Sequence, residues 1–384
     1  MAARSAVLLR NEVVDDRPVL PLDGDQLTKV AVLGRLADEA NTGDVGSSIV
    51  HAPSTCSLLE GLTEALGASR IVHVDGADRS GSVVAAATAD AAVVVVGLTS
   101  DDEGEYLVSD DPGPLSVYGP VFRIAPVANA MAWLTSKTGV QVGGDRRDLH
   151  LHREDVELVE AVAAANERTI VVVIGGGMVI LDPWRARVGA IVLGWYPGME
   201  GGRGLADVLL GQHEPGGRLP FTVVTDPSHL PDTDFDARHI RYGRWWGQRK
   251  LDRDGHRAAY PFGFGLGYTT FELGDLQLTN DDGQLQATLP VRNTGTSDGG
   301  TIVQIYAVDE SEPAERQVRY LLGFGRVEAA LNATVQAEVQ CDLTPISRRD
   351  PATRTWDLAD GDWQVMAAQH SHDPAATARL KLPR

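Results

Sequence analysis

Short apolar runs and helical patterns alternate along the chain between Lys29 and about Thr225. The runs are rich in β-branched residues and lie at Val30–Leu33, Ile71–Val74, Ala91–Val96, Thr169–Ile174 and Ala190–Leu193. Continuous apolar runs are typical of strands covered on both faces, and hence of a largely parallel sheet. Two intervening segments, Ser57–Leu66 and Glu154–Asn166, repeat apolar residues every three or four positions and predict amphipathic helices. The sequence therefore predicts a layered α/β sandwich over residues 29–225.

Alternation with a period of two dominates after Leu273, as in LQATLPVRN and TIVQIYAV, and turn residues interrupt it. About seven short strands at this spacing predict an immunoglobulin-like β-sandwich over residues 273–384. The preceding residues 226–272 are aromatic and rich in glycine, which predicts a linker packed on a domain. Its Trp245 and Trp246 could stack on a sugar or pack against a neighbouring domain.

Composition and charge exclude several classes of partner. The 43% hydrophobic content includes no apolar run near the roughly 20 residues that a membrane span requires, so no membrane partner is expected. The first residues lack the apolar stretch and cleavage site of a signal peptide, which predicts a cytoplasmic location. A formal charge of −19 repels phosphate backbones and disfavours nucleic acid as a partner.

Two patterns that suggest a cofactor or a metal have simpler interpretations. Gly175–Met178 follows a strand but lacks GxGxxG spacing, so close backbone packing explains it better than a dinucleotide site. No Cys/His cluster accompanies His150 and His152, and alternation places both on one exposed face. We expect neither a cofactor nor a metal.

Ligands of open α/β sheets bind beyond the carboxyl ends of the strands, and two loops of interest lie there. The first contains Asp44, Ser47 and Ser48, whose side chains could bind substrate hydroxyls. The second holds four carboxylates within five residues: Asp101, Asp102, Glu103 and Glu105. Mutual repulsion could raise the pKa of one of them and make it a proton donor. An acidic loop is more often a solvated surface or an adventitious cation site.

Several irregular motifs together resemble glycoside hydrolase family 3, specifically β-glucosidase-like members with a trailing fibronectin type III-like domain. AVVVVGLTSDDEGEY resembles the acid/base loop of that family, and the block from Ala163 to Val223 carries its WYPGxEGG, ADVLxG and PxGRLP pattern. The resemblance implies a segment that follows a barrel at 1–28 and the family's C-terminal α/β domain at 29–225. It also implies a linker at 226–272 and the fibronectin type III-like domain at 273–384.

The resemblance also implies the site residues. The family's acid/base group is the second glutamate of an EGE sequence, which places it at Glu105, with Glu103 as the fallback. The family continues at once with Asp-Arg, whereas here residues 106–144 intervene before GDRRDL. This insertion could form a lid or a contact in a homo-oligomer.

The activity that the resemblance implies is retaining hydrolysis of O-glycosyl bonds in a β-glycoside or oligosaccharide, as part of carbohydrate metabolism. Retention needs two carboxyl groups about 5 Å apart, and in the family the nucleophile comes from an N-terminal barrel of roughly 250 residues. No such domain precedes Met1, so we expect the chain to need a barrel domain from elsewhere and to be inactive in isolation.

Three interpretations remain open from the sequence. The first is the hydrolase part just described. The second is a non-catalytic carbohydrate-binding or interaction module derived from such an enzyme, and the third is an unrelated α/β enzyme. A self-contained pair of Glu103 and Glu105 is disfavoured because nothing recognisable would grip a sugar between two such close neighbours.

Overall fold

The computed structural model describes residues 1–43, 50–103, 146, 148–232, 237, 239–241, 243–281, 284–313, 317–357, 360–373 and 376–382. They fall into two compact units. The first comprises residues 1–3, 12–179 and 183–210, and the second comprises residues 4–11, 180–182 and 211–384. The domain boundaries given from the sequence stay predictions.

The following helices and strands lie among the described residues up to residue 254. The helices are α1 (Ala2–Ser5), α2 (Leu58–Leu66), α3 (Arg79–Ala87), α4 (Ser100–Glu103), α5 (Arg153–Ala165), α6 (Gly201–Leu209) and α7 (Gln248–Asp254). The strands are β1 (Val7–Asn11), β2 (Val13–Val14), β3 (Arg17–Pro18), β4 (Val30–Leu33), β5 (Ile71–Val74), β6 (Ala91–Gly97), β7 (Thr169–Ile174) and β8 (Ala190–Trp195). Among the described residues, no helix is both long and apolar enough to cross a membrane.

Within the first unit, five strands pair in the order β8-β7-β6-β4-β5, and every neighbouring pair is parallel. Every residue of β4, β6 and β7 is buried. These strands are covered on both faces, as their continuous apolar sequences predict. The predicted α/β class with a largely parallel sheet is therefore confirmed.

Helix α2 begins where its sequence supplies a capping box. The Ser57 hydroxyl accepts a hydrogen bond from the Glu60 backbone N–H at 3.1 Å, and the Glu60 carboxylate accepts one from the Ser57 N–H at 2.8 Å. These two bonds satisfy donors that the first helical turn would otherwise leave free. Gly61 then allows α2 to approach α6 closely, because a Cβ at Gly61 would meet the Gly202 carbonyl oxygen at 2.5 Å.

A glycine ends the central strand β6 and starts the loop that follows it. Gly97 has a φ of 149°, which side chains rarely allow. A Cβ there would lie 1.9 Å from the Ile174 carbonyl oxygen on the adjacent strand β7. Only glycine fits this position, so the chain leaves β6 directly beside the end of β7.

The second unit contains the antiparallel strands of the C-terminal half. They are β9 (Phe271–Leu273), β10 (Gln277–Asp281), β11 (Gln284–Asn293), β12 (Gly299–Asp309), β13 (Tyr320–Ala329), β14 (Thr334–Cys341), β15 (Arg348–Arg349), β16 (Trp356–Asp357), β17 (Gly361–Ala368) and β18 (Thr377–Leu382). One sheet has the order β10-β11-β14 with β9 also on β11, and the other has the order β13-β12-β17-β18.

Alternate residues of these strands point into one core. In β11, Leu285, Ala287, Leu289 and Val291 are buried and their neighbours are more exposed, as period-two alternation requires. They join a cluster that includes Ile305 of β12 and apolar residues of β17. The predicted immunoglobulin-like sandwich is confirmed.

Candidate functional site

The candidate site lies in the first unit, where three neighbouring strands end. The loop after β6 begins with α4, which ends in Glu103, the loop after β7 contains Gly175–Gly177, and Tyr196 directly follows β8. Because the strands are parallel and adjacent, their carboxyl ends bring these loops together at one edge of the sheet. This is the edge at which open α/β sheets bind their ligands.

The Glu103 carboxylate is the centre of the site. Its Oε2 atom accepts a hydrogen bond from the Tyr196 hydroxyl and another from the Gly176 backbone N–H, the latter at 2.5 Å. Its Oε1 atom lies 3.1 Å from Nε of Arg146, and the two side chains are only 11% and 14% exposed. Both carboxylate oxygens are therefore occupied by groups of the protein itself.

The glycine loop after β7 is shaped around this carboxylate. A Cβ on Gly176 would lie 2.9 Å from the Tyr196 ring and 3.2 Å from Glu103 Oε2. A Cβ on Gly177 would lie 2.8 Å from Nη2 of Arg146. The loop can donate its backbone N–H to Glu103 only because it carries no side chains here, which agrees with the close packing expected for GGGM.

Arg146 also bonds the backbone of the glycine loop. Its Nη2 donates to the Met178 carbonyl oxygen at 2.9 Å. Its buried Nη1 has no hydrogen-bond partner among the described residues. Arg146 thus connects the residues after β6 to the residues after β7 through one guanidinium group.

The backbone at the end of β8 is unusual at the position before Tyr196. Trp195 has a φ of 60°, in the left-handed region that bulky residues rarely adopt. The register of β7 and β8 also shifts here, so that Ile174 pairs with Trp195. This local distortion sets the direction from which Tyr196 reaches Glu103.

Asp102, another carboxylate of the acidic loop, has different partners from Glu103. Asp102 Oδ2 accepts from the Thr99 backbone N–H at 2.9 Å, and its Oδ1 lies 2.8 Å from Nε2 of His152. His150 lies 2.7 Å from Asp148 through Nδ1. Both histidines of the HLH segment are partly exposed and contact carboxylates, and no cluster able to hold a metal is found among the described residues.

Burial raises the pKa values of two residues near this edge of the sheet, Tyr196 and Asp155. Burial, followed by the hydrogen bond to Glu103 and its charge, raises the pKa of the Tyr196 phenol well above its ordinary value. The phenol therefore stays protonated and acts as a donor. Burial also raises the pKa of Asp155, although Arg35 and the Gly97 N–H oppose this shift.

Of the predicted site residues, the structure describes only Glu103. Glu105, Asp44, Ser47 and Ser48 lie outside the described residues, so their assignments stay predictions. Tyr196 and Arg146 were not among the site residues predicted from the sequence. A signal for both was present, because Arg146 belongs to the GDRRDL motif and Tyr196 to WYPGMEGG.

The arrangement favours a fixed acceptor role for Glu103 over a proton-donating one. The Gly176 N–H and the Arg146 guanidinium are donors only, and Tyr196 has a proton to donate. A protonated Glu103 would lack an acceptor among the first two of these neighbours. Glu103 is therefore a hydrogen-bond acceptor that joins the loops at this edge of the sheet.

Comparison with known proteins gives two family matches. A family model described as the glycosyl hydrolase family 3 C-terminal domain matches residues 6–268. A second, described as a fibronectin type III-like domain, matches residues 301–371. Together they cover both of the folds described above.

Individual relatives extend the comparison. A beta-glucosidase from Bacteroides ovatus is 28% identical over 404 residues, which cover 99% of this chain and 51% of the relative. A xylan 1,4-beta-xylosidase from Xylanibacter ruminicola is 32% identical over 233 residues, covering 60% of this chain and 26% of the relative. The solved structure of a beta-D-glucoside glucohydrolase from Trichoderma reesei has the same fold, with a TM-score of 0.81 and 22% identity, over 99% of this chain and 54% of that one. The chain thus spans about half the length of the relatives that match it from end to end.

Proposed function

Because the chain belongs to glycosyl hydrolase family 3, we propose that it supplies the acid/base glutamate of a retaining β-glycosidase, and that this residue is Glu105. The single observation that carries the proposal is the engagement of Glu103 by Tyr196, Gly176 and Arg146 at the carboxyl edge of the sheet. Glu103 is the fallback candidate from the sequence, and its occupied oxygens leave Glu105 as the better candidate.

The role of Glu103 in this proposal is to position the chain. Glu103 immediately precedes the segment that contains Glu105, and Arg146 lies just beyond that segment. The ion pair between them joins the two ends, at 3.1 Å and with little exposure of either side chain. We propose that this anchor serves to position Glu105, two residues further along the sequence, for catalysis.

The proposed reaction uses Glu105 twice. In the first step its carboxylic acid protonates the glycosidic oxygen while a carboxylate attacks the anomeric carbon, so that the C–O bond breaks and a glycosyl ester forms. In the second step the Glu105 carboxylate takes a proton from water, which attacks the anomeric carbon and releases the first carboxylate. The attacking carboxylate is proposed to come from a barrel domain.

The substrate class is a β-linked glucoside or xyloside. The named activities of the relatives include both beta-glucosidase and xylan 1,4-beta-xylosidase, and both act on β-linkages by their names. Since about half of one relative and about three quarters of the other lie outside the matched region, we assign the choice between these sugars to the part of the relatives that this chain does not match.

The test is hydrolysis of aryl β-glucosides and aryl β-xylosides by the chain alone and by the chain combined with a family 3 barrel domain fused before Met1. We expect no turnover by the chain alone and turnover by the fusion. Glu105→Gln should then lower kcat/KM by about 10²- to 10⁴-fold, the usual contribution of a general acid/base group. Full activity of Glu105→Gln in an active fusion would contradict the assignment.

A further inference from the structure

Although the chain has a net negative charge, one segment of its sequence is basic. Residues 239–257 contain six Lys and Arg residues and only two Asp residues, together with Trp245 and Trp246. The described part of this segment includes helix α7 and belongs to the second unit. A positive region on a protein of formal charge −19 attracts an anionic ligand locally while the remaining surface repels it.

Part of this positive charge is neutralised within the helix. Asp254 pairs with Lys250 at 2.7 Å and with Arg253 at 2.6 Å. In contrast, no carboxylate among the described residues lies within ion-pair distance of Arg249. Its guanidinium lies 5.2 Å from the Tyr320 ring centroid and 6.0 Å from that of Trp246. Contact with these aromatic rings fixes the group while leaving its hydrogen-bond donors for a ligand.

The two adjacent tryptophans differ in how their rings are used. The guanidinium groups of Arg244 and Arg253 lie over the Trp245 ring, 4.7 Å and 5.1 Å from its centroid. Within the part of the chain that the structure describes, the Trp246 ring contacts the guanidinium of Arg249 alone, at the outer limit of such contacts, and the residue is 58% exposed. Trp245 is therefore covered by arginines, whereas Trp246 presents an open aromatic surface beside a cation.

We propose that Trp246 and Arg249 form a binding site for an acidic carbohydrate, with a uronic acid residue as the recognised unit. The indole ring would stack on the apolar face of a pyranose, and the planar guanidinium would pair with the carboxylate of the sugar. A neutral sugar could stack on the Trp246 ring but could not form an ion pair with Arg249. A polyanion without sugar rings could form the ion pair but could not stack on the indole. Binding of such a sugar by Trp246 and Arg249 does not depend on the assignment of the acid/base residue.

The experiment measures binding of the full 384-residue chain to three probes by isothermal titration calorimetry. The probes are oligogalacturonic acid, a neutral β-glucan oligosaccharide of the same length and oligoglutamate of the same charge. We expect the acidic sugar to bind most tightly and its affinity to fall as salt is added, because one of the two contacts is ionic. Trp246→Ala and Arg249→Gln should each weaken that binding about tenfold.

Trp356→Ala is the matched control, because Trp356 is 56% exposed and lies on β16, outside the basic segment. It should leave the affinity unchanged, and circular dichroism checks that all variants are folded. Equal binding of the neutral sugar or of oligoglutamate would overturn the proposal, as would equal losses in Trp246→Ala and Trp356→Ala. Absence of binding to all three probes would also overturn it. None of these outcomes bears on Glu105, because no catalytic step is measured.

Discussion

Two carboxylates in different units of the molecule have similar surroundings. Glu103 at the carboxyl edge of the parallel sheet is 11% exposed, and Asp252 on helix α7 is 17% exposed. Glu103 has three donors around it, and so does Asp252. The donors to Asp252 are Gln248 at 2.9 Å, Arg319 at 2.8 Å and His372 at 3.0 Å.

The difference lies in what each carboxylate connects. Gln248 is on the same helix as Asp252, whereas Arg319 and His372 belong to the β-sandwich part of the chain. The donors to Asp252 therefore attach helix α7 to the β-sandwich. The donors to Glu103 come from the loops after two other strands and from Arg146. Glu103 therefore ties together the edge at which α/β sheets bind ligands. In both cases the surrounding donors satisfy the hydrogen-bonding capacity of the carboxylate. The two carboxylates differ in their position in the fold: Glu103 lies at the proposed ligand-binding edge of the sheet, whereas Asp252 attaches a helix.

Removal of the arginine should have the largest effect on stability. Arg146→Met leaves the poorly exposed Glu103 carboxylate without its cation, and breaking a buried pair in this way costs about 3 kcal/mol. Arg319→Met is the matched change at Asp252. It should cost about 1 kcal/mol or less, because the Arg319 side chain is 35% exposed and solvent screens its charge. Urea unfolding measures the free energy of unfolding of both variants. Equal decreases would mean that the Glu103 and Asp252 ion pairs contribute equally to stability.

Asp252→Asn should have a smaller effect that depends on pH. Burial of Asp252 acts to raise its pKa, but hydrogen bonds from His372 and Gln248 and the charges of His372 and Arg319 outweigh it, and the net shift is downward. The stability that the carboxylate contributes is therefore fully present above its ordinary pKa of about 3.9 and is lost as the pH falls through the lowered value.

The measurement is the free energy of unfolding of wild type and Asp252→Asn between pH 7 and pH 2. We expect a difference of about 1–2 kcal/mol at pH 7 that shrinks in the acid range. A difference that is constant across this range would mean that the charge of Asp252 does not stabilise the helix. A glycosidase assay of the same variant in a barrel fusion should show unchanged kcat, since Asp252 is not part of the proposed catalytic edge.

The sequence was sufficient for much of the fold. The apolar runs predicted β4 and β7 with the bounds that the structure gives, because a strand buried on both faces needs an unbroken apolar sequence. The bounds of β5 were also predicted, although this strand lies at the edge of the sheet and is only partly buried. Helix α3 was not predicted, since only Ser82, Ala85 and Ala86 of its nine residues are buried and its apolar stripe is narrow. Helix α7 lies within the segment interpreted as a linker.

The surroundings of Glu103 could not be derived from apolar periodicity. Its donors Gly176 and Tyr196 are 73 and 93 positions away. They meet it because β6, β7 and β8 are neighbours in the sheet, and an apolar pattern gives the strands without their order. The family motifs carried the missing information, since GDRRDL and WYPGMEGG contain Arg146 and Tyr196.

We propose that Glu103 is an anchor and that Glu105 transfers the proton, and the dependence of kcat/KM on the leaving group distinguishes these two roles. In an active barrel fusion, Glu105→Gln and Glu103→Gln would each be assayed with a series of aryl glycosides whose phenols range from strongly to weakly acidic. Loss of the general acid slows hydrolysis most for substrates with weakly acidic phenols, because these leaving groups require protonation. We predict that Glu105→Gln loses far more activity on weakly acidic phenols than on strongly acidic ones, and that Glu103→Gln lowers the rate by a similar factor across the series. The reverse assignment of these two patterns would contradict the account.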